Sequence, residues 1–277
     1  MKRSKKSMRM NVLHFKVLTV RYFRQIVTSV PTVLSLLFQA PVMLCIVALV
    51  YQKGAFLAPR RETLGYVSPD ASNANMTLFV LVFMAALMGI LNSYREICKE
   101  RDVLGREVYG GLDVTSYAAS KLTVLATVGM AQSILMAGGS LLFIDFNMAN
   151  PILDVPVYIV TLFLTNVSVA SLGLLISALL KKSESAILPV LLVIIMQVVF
   201  SDCVIPLSGA ATWFYWITPT RWGTSILGKQ FRMNEIYYQK ASYDYNVLFS
   251  MLALAAIVAV CYALTVWKLK RTYRTKD

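Results

Sequence analysis

The chain has 277 residues, of which 57% are hydrophobic and 15% charged, with mean hydropathy +0.63 and formal net charge +13. Soluble domains carry about 25% charged residues, so an ordinary soluble globular domain is excluded and an all-α integral membrane protein is expected. The basic excess follows topology along the chain, which leaves no reason to invoke nucleic acid.

Lys2–Arg9 is not followed by a short apolar core with a small-residue cleavage site, so it does not read as a signal peptide. Residues 11–28 predict a helix lying on the membrane surface. Phe15, Leu18, Tyr22 and Ile26 share one face, with Lys16, Arg21 and Arg24 opposite and Val17, Val20 and Val27 interrupting the polar side. Six apolar stretches of roughly 20 residues then follow, near 33–52, 76–94, 117–143, 157–180, 186–206 and 247–267. The first contains Pro41, expected to kink it. A short external loop over 53–75 carries Pro59, Gly65, Pro69, Ser72 and Asn73. The third span has Gly129, Gly138 and Gly139, which permit close helix approach. Asn147–Pro156 reads as a tight external connection and Lys181–Glu184 as a short cytoplasmic turn.

With the N-terminus in the cytoplasm, 20 of the 27 Lys and Arg residues fall on that side. The other seven are Lys53, Arg60, Arg61, Arg221, Lys229, Arg232 and Lys240. That bias, with an even number of spans, puts both termini in the cytoplasm and basic residues against anionic headgroups.

Between the second and third spans, residues 94–113 gather Arg95, Glu96, Lys99, Glu100, Arg101, Asp102, Arg106, Glu107 and Asp113. Mixed charge of this density does not sit in hydrocarbon, so the segment is expected in water or against another protein. Its order, Glu100-Arg101-x4-Arg106-Glu107-x-Tyr109, reads as a docking element. Residues 202–245 bring Asp202, Pro206, Gly209, Trp213, Trp216, Pro219, Arg221 and Trp222 together. The tryptophans point to the water–lipid boundary. Short helices dipping into the outer leaflet and an ordinary external loop both fit.

Enzymatic readings find little support. Gly223–Gln230 approaches the phosphate-loop pattern but has Gln230 in place of the magnesium-binding Ser or Thr, with no buried strand before it. His14 is the sole histidine, which removes a histidine-based triad, zinc site or proton relay. Cys45, Cys98, Cys203 and Cys261 show no metal-binding spacing. Cys203 alone falls near the outer surface, where a disulfide to a second copy stays open. No span carries an ionisable residue near its middle, which argues against an ion-coupled carrier. No catalytic or metal residue is expected.

These residues resemble the membrane domain of an ABC-2 type exporter. They are most similar to the G-subfamily half-transporters and to bacterial exporters whose ATPase carries a forkhead-associated domain. One carrier is Glu100-Arg101-x4-Arg106-Glu107-x-Tyr109-Gly110-x5-Ser116-Tyr117-x2-Ser120-Lys121. The other is Phe200-Ser201-x3-Ile205-Pro206 with Trp213-x2-Trp216-Ile217-x-Pro219-x2-Trp222. The resemblance implies one membrane domain over residues 1–277, with a surface helix over 1–30, six helices over 31–268 and a cytoplasmic tail over 269–277. It also implies a charged coupling helix after the second span and a re-entrant external segment between spans five and six. Glu100, Arg101, Arg106 and Glu107 would be coupling contacts to an ATP-binding subunit, with Tyr109 and Gly110 shaping the turn into the third span. Leu81, Ala85 and Met88 would face Ile195, Val198 and Val199 across a substrate cavity between two copies, or between the chain and a paralogue. Cys203 and Val204 would plug the cavity externally. Family members that bind flat aromatic drugs have phenylalanine where this chain offers Ala85 and Met88.

The expected function is the permease of an ATP-driven exporter of a lipid, peptide or amphipathic small molecule in a bacterial cytoplasmic membrane. The ATP and Mg would belong to the partner, with no cofactor in this chain. A membrane sensor or immunity protein that docks the same ATPase, and an ion-coupled carrier or channel, are the alternative readings.

Overall fold

The computed structural model describes residues 11–57, 69–180, 182, 184–205, 209–236 and 241–273. The basic segment Lys2–Arg9, Pro59, Gly65, Lys181 and Pro206 lie outside them. Among the described residues every regular element is helical.

Helix α1 runs Val12–Thr28, its first turn capped by Asn11, whose side-chain oxygen accepts the amides of Leu13 and His14. Ser29 interrupts the ladder, and α2 (Val30–Val50) begins with Pro31 in its first turn. Pro41 lies inside α2, which continues past it to Val50. Pro41 has no amide hydrogen, so the Leu37 carbonyl loses its helical donor. Next to it, Gln132 donates to the Leu36 carbonyl at 2.9 Å.

Helix α3 (Pro69–Ser93) starts earlier than the expected second span. Pro69 is suited to a first helical turn, and the polar residues that read as loop are absorbed by bonds within and beyond the helix. Thr77 donates to the Asn73 carbonyl, Asn73 to Gln52, and Tyr243 to Asn75. The short α4 (Arg101–Tyr109) follows, then α5 (Val114–Ser140) and α6 (Pro151–Leu179).

Among the described residues, five helices are long and apolar enough to cross a membrane: α2, α3 with its polar extension, α5, α6 and the last helix, Val247–Thr272. The fifth expected span is not among them. Helix α7 (Ile187–Val199) has 13 residues, about 20 Å at 1.5 Å per residue against a hydrocarbon core of about 30 Å. It stops because Phe200 and Ser201 turn the chain and Asp202 takes φ +60° in the left-handed region. Helix α8 (Pro219–Gln230) and a single turn, α9 (Met233–Ile236), precede α10 (Val247–Thr272).

Helices α3 and α6 form the centre. Helix α3 packs on α6, α2 and α8, α6 also packs on α5, α8 and α10, and α1 lies on α5. Missing side chains let the central pair meet. A Cβ on Gly89 would stand 2.2 Å from the Asn166 carbonyl oxygen, and one on Gly173 2.0 Å from Ser93 Oγ. Gly129 fits against the Asn166 side chain and Gly139 against Leu44, whereas Gly138 faces open space. Asn166 is itself spent, donating to the Ala85 carbonyl at 3.2 Å.

The outside of the bundle is apolar. Val30, Leu34, Leu37, Phe38, Val42 and Leu49 of α2 are all exposed, as are Leu248, Leu252, Val260 and Leu264 of α10. An apolar surface of that extent is stable against hydrocarbon and not against water.

Gly89→Ala is expected to lower the folded fraction and the unfolding temperature in detergent, because backbone carbonyl and new methyl cannot both be accommodated. Gly138→Ala, which meets nothing, should be neutral or stabilising by about 0.5–1 kcal/mol. Equal behaviour of the two variants would remove the close-approach account.

Candidate functional site

At the end of the bundle where α3, α6 and α10 finish and α5 begins, the chain buries a group of charges. The helical ladder of α3 loosens after Ser93. The Ile97 and Cys98 amides that it frees both donate to Ser177 Oγ of α6, at 3.0 Å each. A short 3-10 turn, Cys98–Glu100, leads into α4. This places Glu96 and Glu100 beside Lys121, two turns inside α5 and only 2% exposed.

Lys121 Nζ stands 2.7 Å from Glu100 Oε1 and 3.3 Å from Glu96 Oε2. It also lies 3.6 Å from the centroid of the Tyr22 ring. Tyr22 donates to Glu96, Lys99 pairs with the same carboxylate, and Tyr117 donates to Glu100 at 2.9 Å. Burial, with Glu96 beside it, pushes the Tyr22 hydroxyl well above its ordinary pKa, so it stays a donor. One ammonium thus joins α1, the turn after α3 and the start of α5. Desolvating such charges is costly, and only mutual pairing with further hydrogen bonds offsets that cost.

Two more ties surround the group. Arg21 of α1 holds Glu107 through both guanidinium nitrogens, at 2.7 and 3.2 Å, and that bond raises the pKa of Arg21. Asp113 caps α5 by accepting the Thr115 and Ser116 amides and the Ser116 hydroxyl. Burial works against the Asp113 carboxylate, but these bonds outweigh it and hold its pKa low. His14 is drawn in as well, accepting the Asp113 amide at 3.3 Å.

The site residues expected from sequence therefore divide. Glu100 and Glu107 face inward onto Lys121 and Arg21, and Arg101 donates to the Leu180 carbonyl. Tyr273, at the end of α10, donates to the Arg101 carbonyl at 3.1 Å. These three residues fasten the segment to its own chain. The outward stripe is Asp102, Val103, Arg106 and Tyr109, with Tyr109 81% exposed. Gly110 is exposed at the end of α4, and Gly111 makes the turn with φ +97°, which favours glycine.

Of the expected cavity residues, Ile195 of α7 is 48% exposed, and Leu81, Ala85 and Met88 are fully buried in the central core of the chain. They cannot line an open cavity in this conformation, because the chain itself fills the space around them. Val198 packs on that core and Val199 is half-buried. The seam between α3 and α7 is instead closed by Phe83, Leu87 and Ile90 against Val193, Ile194 and Gln197. Phe79 and Phe83 of α3 stack with centroids 5.5 Å apart. Cys203 is half-buried and Val204 is exposed.

Gly223 and Gly228, which mimicked a phosphate loop, lie inside α8. They pack against Thr165 and Val82, and against Tyr243. Lys121, Tyr22, Arg21 and Ser177 were not recognised as site residues. The available signal was a lysine in an apolar stretch with two glutamates four residues apart in the preceding segment.

A family model described as ABC-2 type transporter matches residues 13–231. The chain belongs to the ABC-2 type transporter family. An ABC transporter ATP-binding/permease protein of Mycobacterium tuberculosis is 33% identical over 171 residues, covering 57% of this chain and 19% of that protein. The match thus spans about a fifth of the relative's length. The ABC-2 assignment and the five apolar helices make this a multi-pass membrane protein. Its charged joint lies between family-matched helices α1 and α5.

Lys121→Met, which removes the ammonium from Glu100 and leaves Glu96 with Lys99 alone, should destabilise the protein by up to about 3–5 kcal/mol. Combining it with Glu96→Gln and Glu100→Gln should recover most of that loss. Thermal unfolding in lipid nanodiscs reads both, and a triple variant no better than the single would count against the pairing.

Proposed function

We propose that this chain is the permease subunit of an ATP-driven exporter of a hydrophobic or amphipathic substrate, with ATP hydrolysed by a separate subunit. The observation that carries the reading is the division of the 94–113 segment. Its inner face is bonded to α1, α5, α6 and α10, while its outer stripe of Asp102, Val103, Arg106 and Tyr109 is left to another surface. A mixed charged and aromatic face on a segment tied to four helices suits the transmission of motion from a docked partner. The M. tuberculosis relative is named for both an ATP-binding and a permease part, which supports an ATPase as that partner.

In this reading residues 1–277 form one membrane domain with six crossings. Helix α7 and the turns after it serve as the fifth, and the 209–230 segment re-enters from outside. Both termini lie in the cytoplasm, a placement supported by the 20 basic residues that would then face that side. Two copies, or this chain and a paralogue, meet in the bacterial cytoplasmic membrane. The α3–α7 seam, closed here by Phe83, Leu87 and Ile194, opens toward one side and then the other as ATP binding draws the ATPases together. The aliphatic and aromatic lining accommodates a lipid, an apolar peptide or an amphipathic small molecule. The chain contributes no catalytic group and no cofactor, ATP and Mg belonging to the partner.

Arg106→Glu, on the open stripe, should leave the unfolding temperature unchanged and cut ATP-driven transport in proteoliposomes on the order of tenfold. Wild-type transport by that variant, or transport by the purified chain without an ATPase, would end the proposal.

A further inference from the structure

At the opposite end of the bundle from the charged joint, α8 carries Arg221 in its first turn. Arg221 is 6% exposed, and its Nε and Nη1 atoms are buried without a hydrogen-bond partner. Three rings surround the guanidinium, with centroids 4.8 Å (Tyr215), 5.1 Å (Trp222) and 5.3 Å (Tyr245) from its central carbon. Ring faces attract a cation but offer no full negative charge, and a buried cation without a counter-charge is costly. Tyr215, one of the three rings, donates its hydroxyl to the Asp202 carboxylate at 3.1 Å.

The rings are themselves held in place. Trp222 donates to the Trp216 carbonyl at 3.1 Å and packs edge-on to Trp216, Tyr245 and Phe249. Gln197 of α7 accepts the Thr220 amide and hydroxyl, which fixes the start of α8, so Arg221 sits at the positive end of that helix dipole. Around this polar point the surface is apolar and open. Trp216, Ile217, Leu248 and Phe249 are exposed by 49, 59, 69 and 45%.

We infer that Arg221 is an anion subsite that takes the phosphodiester head of a lipid-like amphiphile, whose apolar part lies along Trp216, Ile217 and Phe249. The guanidinium supplies the charge-assisted donors that match phosphate oxygens. The exposed aromatic rim supplies the kind of surface found at a water–lipid boundary. The inference gives the amphipathic substrate class of the proposed function a recognising atom. Binding is read without ATP or a partner, so its failure leaves the transport reading standing.

The purified chain in a non-ionic detergent is titrated with inorganic phosphate, short-chain phosphatidylglycerol and short-chain phosphatidylcholine, reading unfolding temperature and tryptophan emission. Phosphatidylglycerol should bind most tightly. Its affinity should fall by about tenfold or more in Arg221→Gln and be largely kept in Arg221→Lys. Arg221→Met should unfold no earlier than wild type without lipid, since it removes an uncompensated charge, and should gain nothing from lipid. Equal lipid binding by wild type and Arg221→Gln overturns the inference. So does early unfolding of Arg221→Met in lipid-free detergent, which would make Arg221 a structural group. Phosphate acting as strongly as the lipid overturns the amphiphile. Loss of the Arg221 dependence in Asp202→Asn overturns the subsite in favour of an internal ion pair.

Discussion

A single ammonium group, Lys121, sets the geometry of one whole end of this membrane domain. Held between Glu96 and Glu100 and lying against the Tyr22 ring, it links three elements that are far apart in the chain. Charges withdrawn from water are stable only where each finds its complement, so none of the three elements can shift without exposing a cost to the others. The bidentate Arg21–Glu107 pair, open to water, and the Ser177 hydroxyl under the Ile97 and Cys98 amides add ties to α4 and α6. The segment after α3 is therefore a fixed part of the bundle, and only its outer stripe is available to something else.

The apolar part of the domain obeys a different rule. In hydrocarbon there is little hydrophobic gain from bringing helices together, so close packing and polar satisfaction must do it. Gly89 and Gly129 bring α3 and α5 up to α6 around Asn166, and Gly173 of α6 closes against Ser93 at the end of α3. Asn92, Gln132 and Gln39 bond across α3, α5 and α2. These contacts explain why α3 and α6 are mostly buried while α2 and α10 show their aliphatic side chains outward. The two ends of the bundle then differ in kind. One buries a satisfied charge group, and the other buries a guanidinium whose neighbours are rings.

Some of this was legible in the amino-acid order. The surface helix was readable because Leu18 and Tyr22 repeat at helical spacing, and both are buried against the bundle. The apolar stretches located five long helices, since length and hydropathy are local properties. The fifth stretch holds a shorter helix than its length suggested, because hydropathy does not register the turn at Phe200–Asp202 that ends α7. The faces of α3 are ambiguous in sequence for a related reason. Its two faces are equally apolar, so periodicity could not say whether Ala85 and Met88 or Phe83 and Leu87 turn inward.

By itself, the order of residues determined that the chain is helical, that it lives in a membrane, and that its charge is concentrated between the second and third long helices. Those follow from composition, spacing and the energy of placing polar groups in hydrocarbon. Only the folded arrangement decided what each charge does. Glu100 and Glu107 read as outward contacts until Lys121 and Arg21, the latter 86 positions away, are seen to occupy them. Arg221 read as one more basic residue in a loop until α8 was seen to bury it among rings. Pairing depends on distance in space, and a linear pattern carries no record of which distant side chain completes a charge or leaves it waiting.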